Sequence, residues 1–189
     1  MENDSIAQKL TDMEIRSEPL SELHRHVMVP STFESTTVFD VESTPRGFAL
    51  IERRLPAPFR KNYDLLENPL NWPARFDLTK WTLVGAHAGN ERLGGAIGVL
   101  EADRVVLWDL RVSAELQRKG IGSALFSTIE SWGRDRGCRE LMVETQNVNV
   151  AACRFYERQG CVLQQANPAA YPQLPEEIQL IFSKALTKL

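Results

Sequence analysis

The chain has 189 residues, a length that suits one compact domain. Hydrophobic residues make up 43% of it and charged residues 25%, which is the balance of an ordinary soluble globular protein and excludes disordered, collagen-like and disulfide-scaffold classes. The formal net charge of −3 comes from an excess of acids in the first 25 residues, so the remainder has no basic field that would attract a nucleic-acid backbone.

Cysteine usage and the N-terminal sequence favour a reducing compartment. The three cysteines form no CxxC pair and no zinc-type Cys/His cluster. The chain begins with MENDSIAQKL, which is acidic and polar, unlike a signal peptide, and it contains no run of about 18 apolar residues that could span a membrane. We therefore expect a cytoplasmic protein that uses no metal and binds neither membranes nor nucleic acid.

The first part of the chain predicts a tail, short strands and one irregular segment. Residues 1–12 are expected to form a flexible tail ahead of one domain that spans residues 13–189. Residues 56–80 contain four prolines and are expected to be ordered but irregular, and the sequence leaves open whether they cover a substrate. The regular elements predicted before them are a helix at 20–29 and strands at 13–16, 36–41 and 47–54.

The second part predicts an antiparallel meander followed by alternating helices and strands. Apolar residues recur at helical spacing over 121–132, and Gly137 stands where that helix would stop. A second helix is predicted at 150–159, ended by Gly160. This order predicts a single α/β (α+β) domain with a mixed, mostly antiparallel sheet flanked by helices. The predicted strands are 81–87, 93–101, 105–112, 140–144 and 180–182, with a hairpin turn at Gly89-Asn90.

The strongest local signal is a glycine-containing turn at residues 117–122, between a predicted strand and an amphipathic helix. A helix N-terminus offers unpaired N–H groups that suit phosphate, and glycines let that backbone approach a ligand closely. The alternative is a plain strand-to-helix turn with solvated charges. A P-loop fits worse because Gly122 is followed by Ser123-Ala124, and a Rossmann fingerprint fits worse because Leu125 stands where a small residue is required.

Two sequence blocks resemble the GNAT superfamily of N-acetyltransferases. Residues 117–122 read Q-x-x-G-x-G after a strand, like the acyl-coenzyme A loop of that family. Residues 144–160 match E-x4-N-x2-A-x3-Y-x3-G, and the two blocks occur in the family's order with one helix between them. The resemblance implies the GNAT fold, with a central βαβα core that binds acetyl-CoA. It also implies direct transfer of the acetyl group to a primary amine, without an acyl-enzyme.

The resemblance implies a set of cofactor-binding residues. Backbone groups of Leu110 and Val112 would pair with the pantetheine arm like an additional strand. Asn149 would hydrogen-bond the pantetheine, and its alternative role is the N-cap of the helix that follows. The pyrophosphate would be held by the backbone amides of Gln117, Arg118, Lys119, Gly120, Ile121 and Gly122.

Three side chains are candidates for the chemistry that the resemblance implies. Tyr156 would be the general acid for the departing thiolate, and the alternative is an ordinary core aromatic. Glu144 would be the base that deprotonates the amine, directly or through water, and the alternative is a solvated surface acid. Asp109 is the rival base or a substrate anchor.

A narrower resemblance points to streptothricin acetyltransferases. It rests on residues 33–41, 47–50 and 58–63, together with Asp109 and two residues near the C-terminus. The sequence departs from that pattern at Trp108, where such enzymes often carry an acid, and at Cys161, which replaces the usual Phe. A pocket for a cationic antibiotic should present carboxylates and aromatic faces. The candidate substrate-binding residues are Tyr63, Asp64, Trp108, Asp109, Tyr171 and Glu177, each with ordinary packing or solvation as its alternative.

These resemblances predict acetylation of the β-lysine amine of streptothricin, and thereby antibiotic resistance. Within enzymes, the alternative substrates are an aminoglycoside, a polyamine or a protein N-terminus. Outside enzymes, the alternatives are a non-catalytic acyl-CoA-binding module and a mononucleotide binder of unrelated fold. The sequence leaves a homodimer open, because many members of the family form dimers.

Overall fold

The structure, a computed structural model, describes residues 2–186, with side chains from residue 6 onward. It contains nine strands and five α-helices among those residues. The strands are β1 (Met13–Glu18), β2 (Thr32–Thr44), β3 (Gly47–Asn62), β4 (Trp81–Ala88), β5 (Glu91–Glu101), β6 (Arg104–Val112), β7 (Glu140–Gln146), β8 (Val162–Asn167) and β9 (Gln179–Ala185). The helices are α1 (Glu2–Thr11), α2 (Leu23–His26), α3 (Trp72–Arg75), α4 (Ile121–Asp135) and α5 (Val150–Arg158).

Seven strands form one sheet in the order β1-β4-β5-β6-β7-β9-β8. All neighbours in it are antiparallel except β6 and β7, which run parallel on either side of the connection through α4. The remaining strands, β2 and β3, form a separate two-stranded sheet. The predicted fold class is confirmed: the chain is a single mixed α/β domain.

The parallel strands β6 and β7 stay together over only part of their length. They pair from Arg104 with Glu140 to Leu107 with Val143. On the other side of β6, Leu107 pairs with Gly98 and Asp109 pairs with Ile97, so Trp108 is an extra, bulged residue. A bulge bends its strand and increases the local twist. Beyond it, β6 turns away from β7 and the sheet opens.

Helix α4 covers one face of the sheet and begins at the opening. Its apolar side chains recur at helical spacing and are fully buried against β4, β5 and β6. The left-handed φ of Gly137, 81°, ends the turn after α4, and Gly160 with φ 84° does the same after α5. Both predicted helices and both predicted stops are confirmed. The buried face of α4 comprises Ile121, Leu125, Phe126 and Ile129.

The N-terminal residues differ from the sequence-based expectation. The structure places α1 where a flexible tail is expected within residues 1–12. Ile6 and Leu10 pack against the core, and Lys9 forms an ion pair with Glu91 at 2.6 Å. The helix predicted at 20–29 is also different, because only a short helical turn and the four-residue α2 form there. Tertiary packing, rather than helix propensity, decides both segments.

The proline-containing segment is more regular than expected at its start. Strand β3 continues to Asn62, although the sequence predicts an end at residue 54. Pro56 and Pro58 fall where the register with β2 shifts, between the pairs Thr37–Arg54 and Ser35–Phe59. Proline is tolerated at such a point because its missing N–H is not needed for the ladder. The rest of the segment consists of short helical turns and α3.

Candidate active site

A cleft of about 1430 Å³ opens where β6 and β7 separate. Beyond Leu107, the backbone of β6 pairs with no described strand on the side that faces β7. Leu110 and Val112 lie on this free stretch and line the cleft. An extended ligand can therefore hydrogen-bond to β6 as an added strand would. The cleft is closed by α5, by the N-terminus of α4, and by the segment that follows β3.

The predicted phosphate loop lies at one end of this cleft. Arg118 and Gly120 have left-handed φ values of 60° and 91°, so the loop turns sharply just before α4. No side chain caps the helix at Gly120, which leaves the first N–H groups of α4 available to an anion. A Cβ at Gly122 would lie 3.4 Å from the Phe155 ring. The absence of that Cβ keeps the approach to the helix open.

The side chains of the loop do not all face the cleft. Those of Gln117 and Arg118 line it, as does the backbone of Gly120 and Gly122. Lys119 is exposed and does not line the cleft, and the Ile121 side chain is fully buried in the core. Any contribution of Ile121 to an anion site is therefore made by its backbone alone.

Asn149 begins α5 and faces the cleft. Its Oδ1 accepts a hydrogen bond from the Ala152 N–H at 3.1 Å, so the N-cap role is confirmed. Its Nδ2 donates to the Tyr63 hydroxyl at 3.4 Å. Asn149 therefore connects the N-terminus of α5 to the segment that follows β3.

Tyr156 lies on the same helix and projects into the cleft. Its ring packs against Phe155 and Phe182, with centroid distances of 5.4 and 6.2 Å. The structure records no hydrogen bond from its hydroxyl to any described residue. Burial raises the pKa of Tyr156 far above its usual range, so the hydroxyl carries its proton at neutral pH. The Tyr156 hydroxyl is thus protonated and has no hydrogen-bond partner among the described residues, so it is free to donate to a group that enters the cleft.

Glu144 lies on β7, next to the point where that strand leaves β6. It is exposed, and its two oxygens accept hydrogen bonds from the Tyr171 hydroxyl at 2.6 Å and from Gln179 Nε2 at 2.7 Å. Burial, followed by the contact with Glu144, raises the pKa of Tyr171. Tyr171 thus stays protonated and holds the carboxylate at the cleft.

Asp109 also lines the cleft, but other groups already use its charge. Its carboxylate accepts a hydrogen bond from Arg111 Nε at 2.8 Å and lies 3.3 Å from His26 Nε2. Burial acts to raise the pKa of Asp109, but the contacts with His26 and Arg111 outweigh it, and the net pKa is below the usual value. A carboxylate held in its charged form in this way is a weak proton acceptor.

Two further carboxylates expected to bind a substrate cation are paired within the protein. Asp64 lies 2.8 Å from Arg111, so Arg111 joins Asp64 to Asp109. Glu177 is 3% exposed and forms an ion pair with Lys61. Neither Asp64 nor Glu177 lines the cleft. The structure therefore separates these two residues from Tyr63, Trp108 and Tyr171, which do line it.

The bulged Trp108 lines the cleft and belongs to an aromatic cluster. Its ring centroid lies 5.0 Å from that of Trp81 and 6.2 Å from that of Trp72. Trp72 Nε1 donates to Glu67 at 3.0 Å, and both residues line the cleft. The wall is thus aromatic, a surface that suits an ammonium group, and the Glu67 carboxylate beside it is paired with Arg75 at 2.8 Å.

Several residues of the cleft were not found from the sequence. Gln146 occupies one of the x positions of the motif at residues 144–160, so the motif gives it no role. A polar residue in a predicted buried strand is nevertheless a signal, because its side chain needs hydrogen-bond partners. Lys61 pairs with Glu177, and Arg111 joins nearby Asp109 to distant Asp64, so no local pattern indicates their full role. Among the described residues, no cluster of three or more His, Cys, Asp or Glu side chains could hold a metal ion, and no helix is long and apolar enough to cross a membrane.

Comparison with known proteins identifies the family. The model of the acetyltransferase (GNAT) family matches residues 41–161. Streptothricin acetyltransferase of Streptomyces lavendulae is 30% identical over 144 residues, which cover 74% of this chain and 76% of that protein. Streptothricin acetyltransferase A of Bacillus subtilis is 30% identical over 67 residues, which cover 35% of this chain and 39% of that protein.

Solved structures agree on the fold. The crystal structure of nourseothricin acetyltransferase superposes with a TM-score of 0.76 at 24% identity, covering 93% of this chain and 99% of that one. A Bacillus anthracis protein solved in complex with acetyl coenzyme A superposes with a TM-score of 0.79 at 20% identity, covering 92% of this chain and 99% of that one. Because the family model spans more than half of the chain, this protein belongs to the acetyltransferase (GNAT) family and is an N-acetyltransferase.

Proposed function

We propose that the chain transfers the acetyl group of acetyl-CoA to the β-lysine amine of streptothricin-type antibiotics and so inactivates them. The observation that carries the proposal is the cleft between β6 and β7, which presents the Tyr156 hydroxyl, without a hydrogen-bond partner among the described residues, and the exposed carboxylate of Glu144. The acceptor class is supported by the similarity to the Streptomyces lavendulae enzyme over most of both chains.

The residues present fit acetyl-CoA. The uncapped N-terminus of α4 and the open loop at 117–122 suit a diphosphate, with Arg118 facing the same space. The free edge of β6 at Leu110 and Val112 suits the amide groups of a pantetheine arm. When bound, acetyl-CoA supplies a thioester carbonyl that an amine can attack.

Side chains of the protein carry out both proton transfers in this proposal, from the amine and to the thiolate. A substrate amine with a pKa of about 10 is mostly protonated at neutral pH, so a base must take one proton before attack. Glu144 is the base in this proposal, held at the cleft by the Tyr171 hydroxyl. Tyr156 is the acid that gives its proton to the departing thiolate. The attacking nitrogen loses its second proton as the amide forms, and that proton restores the Tyr156 hydroxyl.

Direct attack is favoured over an acyl-enzyme. The nearest thiol on α5 is that of Cys153, which is fully buried, and burial raises its pKa to about 12. Such a thiol is not ionised at neutral pH and is a poor nucleophile. Cys153 belongs to the buried core cluster, and its thiol donates to the Gln146 carbonyl at 3.6 Å, which agrees with the role of a core residue.

Substrate recognition is proposed to rest on aromatic faces and one cleft carboxylate. Trp108, Tyr63 and Tyr171 offer rings to a cation, and Glu144 offers charge, whereas Glu67 is already paired with Arg75 at 2.8 Å. We propose that Asp64, Asp109 and Glu177 support the walls of the cleft instead, because Arg111 and Lys61 neutralise them.

A free-thiol assay with acetyl-CoA tests the proposal against a panel of amines: streptothricin, aminoglycosides, spermidine, lysine analogues and short peptides. Turnover that is highest with streptothricin supports the assignment, whereas preference for peptides or polyamines overturns the acceptor and leaves acetyl transfer standing. Cys153→Ala is the matched control for direct attack, since it should keep its turnover. Loss of turnover in that folded variant would indicate a thiol intermediate.

A further inference from the structure

A continuous line of hydrogen bonds crosses the cleft from the proposed base to the start of α5. It begins at Glu144, which accepts from the Tyr171 hydroxyl at 2.6 Å. The Tyr171 oxygen accepts from Gln146 Nε2 at 3.0 Å, and Gln146 Oε1 accepts from the Tyr63 hydroxyl at 2.5 Å. The Tyr63 oxygen in turn accepts from Asn149, which caps α5. Every member therefore both donates and accepts, except at the two ends.

The directions of these hydrogen bonds are fixed by the chemistry of the ends. A carboxylate such as that of Glu144 can only accept, and the backbone N–H of Ala152 can only donate. A tyrosine hydroxyl, by contrast, can rotate and exchange its roles. The carboxamide of Gln146 cannot exchange its roles without turning over, and it lies between the two tyrosines.

Gln146 is also the rigid member of the line. It is 8% exposed and is the last residue of β7, where its backbone pairs with Gln179 at the start of β9. Tyr63 lies in a helical turn after β3, and Tyr171 lies between β8 and β9, outside any strand. The strand residue thus fixes two side chains that come from separate loops.

We propose that Gln146 is a positioning residue whose carboxamide gives each tyrosine hydroxyl its second hydrogen-bond partner and so holds both hydroxyls in place. Its Nε2 occupies the Tyr171 oxygen, which leaves the Tyr171 proton for Glu144 on the acceptor side, and its Oε1 takes the Tyr63 proton, which leaves the Tyr63 oxygen for Asn149 on the cofactor side. The assignment of these two sides rests on the proposed function. The hydrogen-bond order itself does not, so the two can be tested separately.

The first test is spectroscopic and needs no substrate. The chain has three tyrosines, Tyr63, Tyr156 and Tyr171, and all of them line the cleft. Labelling with 3-fluorotyrosine therefore gives three fluorine signals, which single Tyr→Phe variants assign. In Gln146→Met, the Tyr63 and Tyr171 signals should both shift by more than their linewidths, while the Tyr156 signal stays in place. Gln165→Met, at an exposed position on β8, is the matched control and should shift none.

The proposal is overturned if only one of the two signals moves, or if neither does. Should Gln146→Met fold poorly, Gln146→Glu provides the same test with almost the same shape. A glutamate accepts but cannot donate, so Tyr171 must choose between two carboxylates while Tyr63 keeps its acceptor. The Tyr171 signal should then move more than the Tyr63 signal, and the reverse order would contradict the proposal.

The second test measures coupling during turnover. Tyr63→Phe and Tyr171→Phe are combined in a double-mutant cycle of kcat/KM with any amine that is acetylated. Residues joined in one hydrogen-bond network typically show non-additive effects, here expected to be about fivefold or more. In the Gln146→Met background, the same two changes should become additive within about twofold. Equal coupling in both backgrounds would refute the role of Gln146, because a residue that only supports the fold would leave the coupling unchanged. If no amine is acetylated, the proposed function fails, while the fluorine signals still decide the role of Gln146.

Discussion

Removal of the Tyr156 hydroxyl separates catalysis from folding. In Tyr156→Phe the ring remains, so its packing against Phe155 and Phe182 is retained. The lost hydroxyl makes no recorded hydrogen bond to a described residue, so the free energy of unfolding should change by less than about 1 kcal/mol. The affinity for acetyl-CoA should change by less than about twofold, because the hydroxyl is needed only as the thiolate forms.

The rate should respond much more strongly. A positioned general acid contributes about 100-fold or more, so kcat should fall by at least that factor, which corresponds to about 2.7 kcal/mol of transition-state stabilisation. Thiol release gives kcat, calorimetry gives the acetyl-CoA affinity, and urea unfolding gives the stability of both proteins. A kcat within about threefold of the unchanged chain would refute the acid role. An equal loss in affinity and kcat would assign the hydroxyl to ground-state binding instead.

Three other perturbations follow from the same geometry. Glu144→Gln should lower kcat/KM about 100-fold at neutral pH, and its kcat/KM should recover at high pH, where the amine loses its proton unaided. Glu140→Gln, on the same strand, is the control and should keep its kcat/KM. Equal losses in both variants would refute the role of Glu144 as the base. Arg111→Met should lower the free energy of unfolding by about 3–5 kcal/mol in urea titrations. Arg111 is only 4% exposed, and its removal leaves the carboxylates of Asp64 and Asp109 without the guanidinium that they share. A loss below about 1 kcal/mol would contradict this prediction. The pKa of Asp109 is lowered in the folded protein, so its contribution to stability is present above the unfolded pKa of about 4 and is lost as pH falls through the folded pKa. In Asp109→Asn, the free energy of unfolding should therefore fall less steeply as the pH is lowered. An unchanged pH dependence would show that Asp109 does not contribute.

The central part of the fold could be read from the sequence because its signals are local. The apolar spacing of α4 and the glycines after α4 and α5 indicate those helices, and runs rich in strand-forming residues indicate the strands around them. Helix α1 and strand β8 escaped prediction because both are largely polar and form through packing and pairing with distant residues. The extension of β3 past Pro56 and Pro58 depends on a register shift against β2, which no local pattern shows.

The candidate site divides in the same way. The spacing from Glu144 through Asn149 to Tyr156 lies within one strand-to-helix unit, so the sequence alone brings these residues to one cleft. The partners of Asp64 and Glu177 could not be predicted from the sequence, because Arg111 and Lys61 are far from them in the chain and contact them only in the folded protein. Net charge along the chain does not reveal which carboxylates are already neutralised.

A crystal structure of the chain with acetyl-CoA tests the account most directly. We predict that the diphosphate lies within hydrogen-bond distance of the N–H groups of the loop at 117–122 and that the pantetheine arm lies along Leu110 and Val112. The thioester sulfur should then lie next to the Tyr156 hydroxyl. A molecule bound outside the opening between β6 and β7, or bound there with its diphosphate away from that loop, would contradict the account.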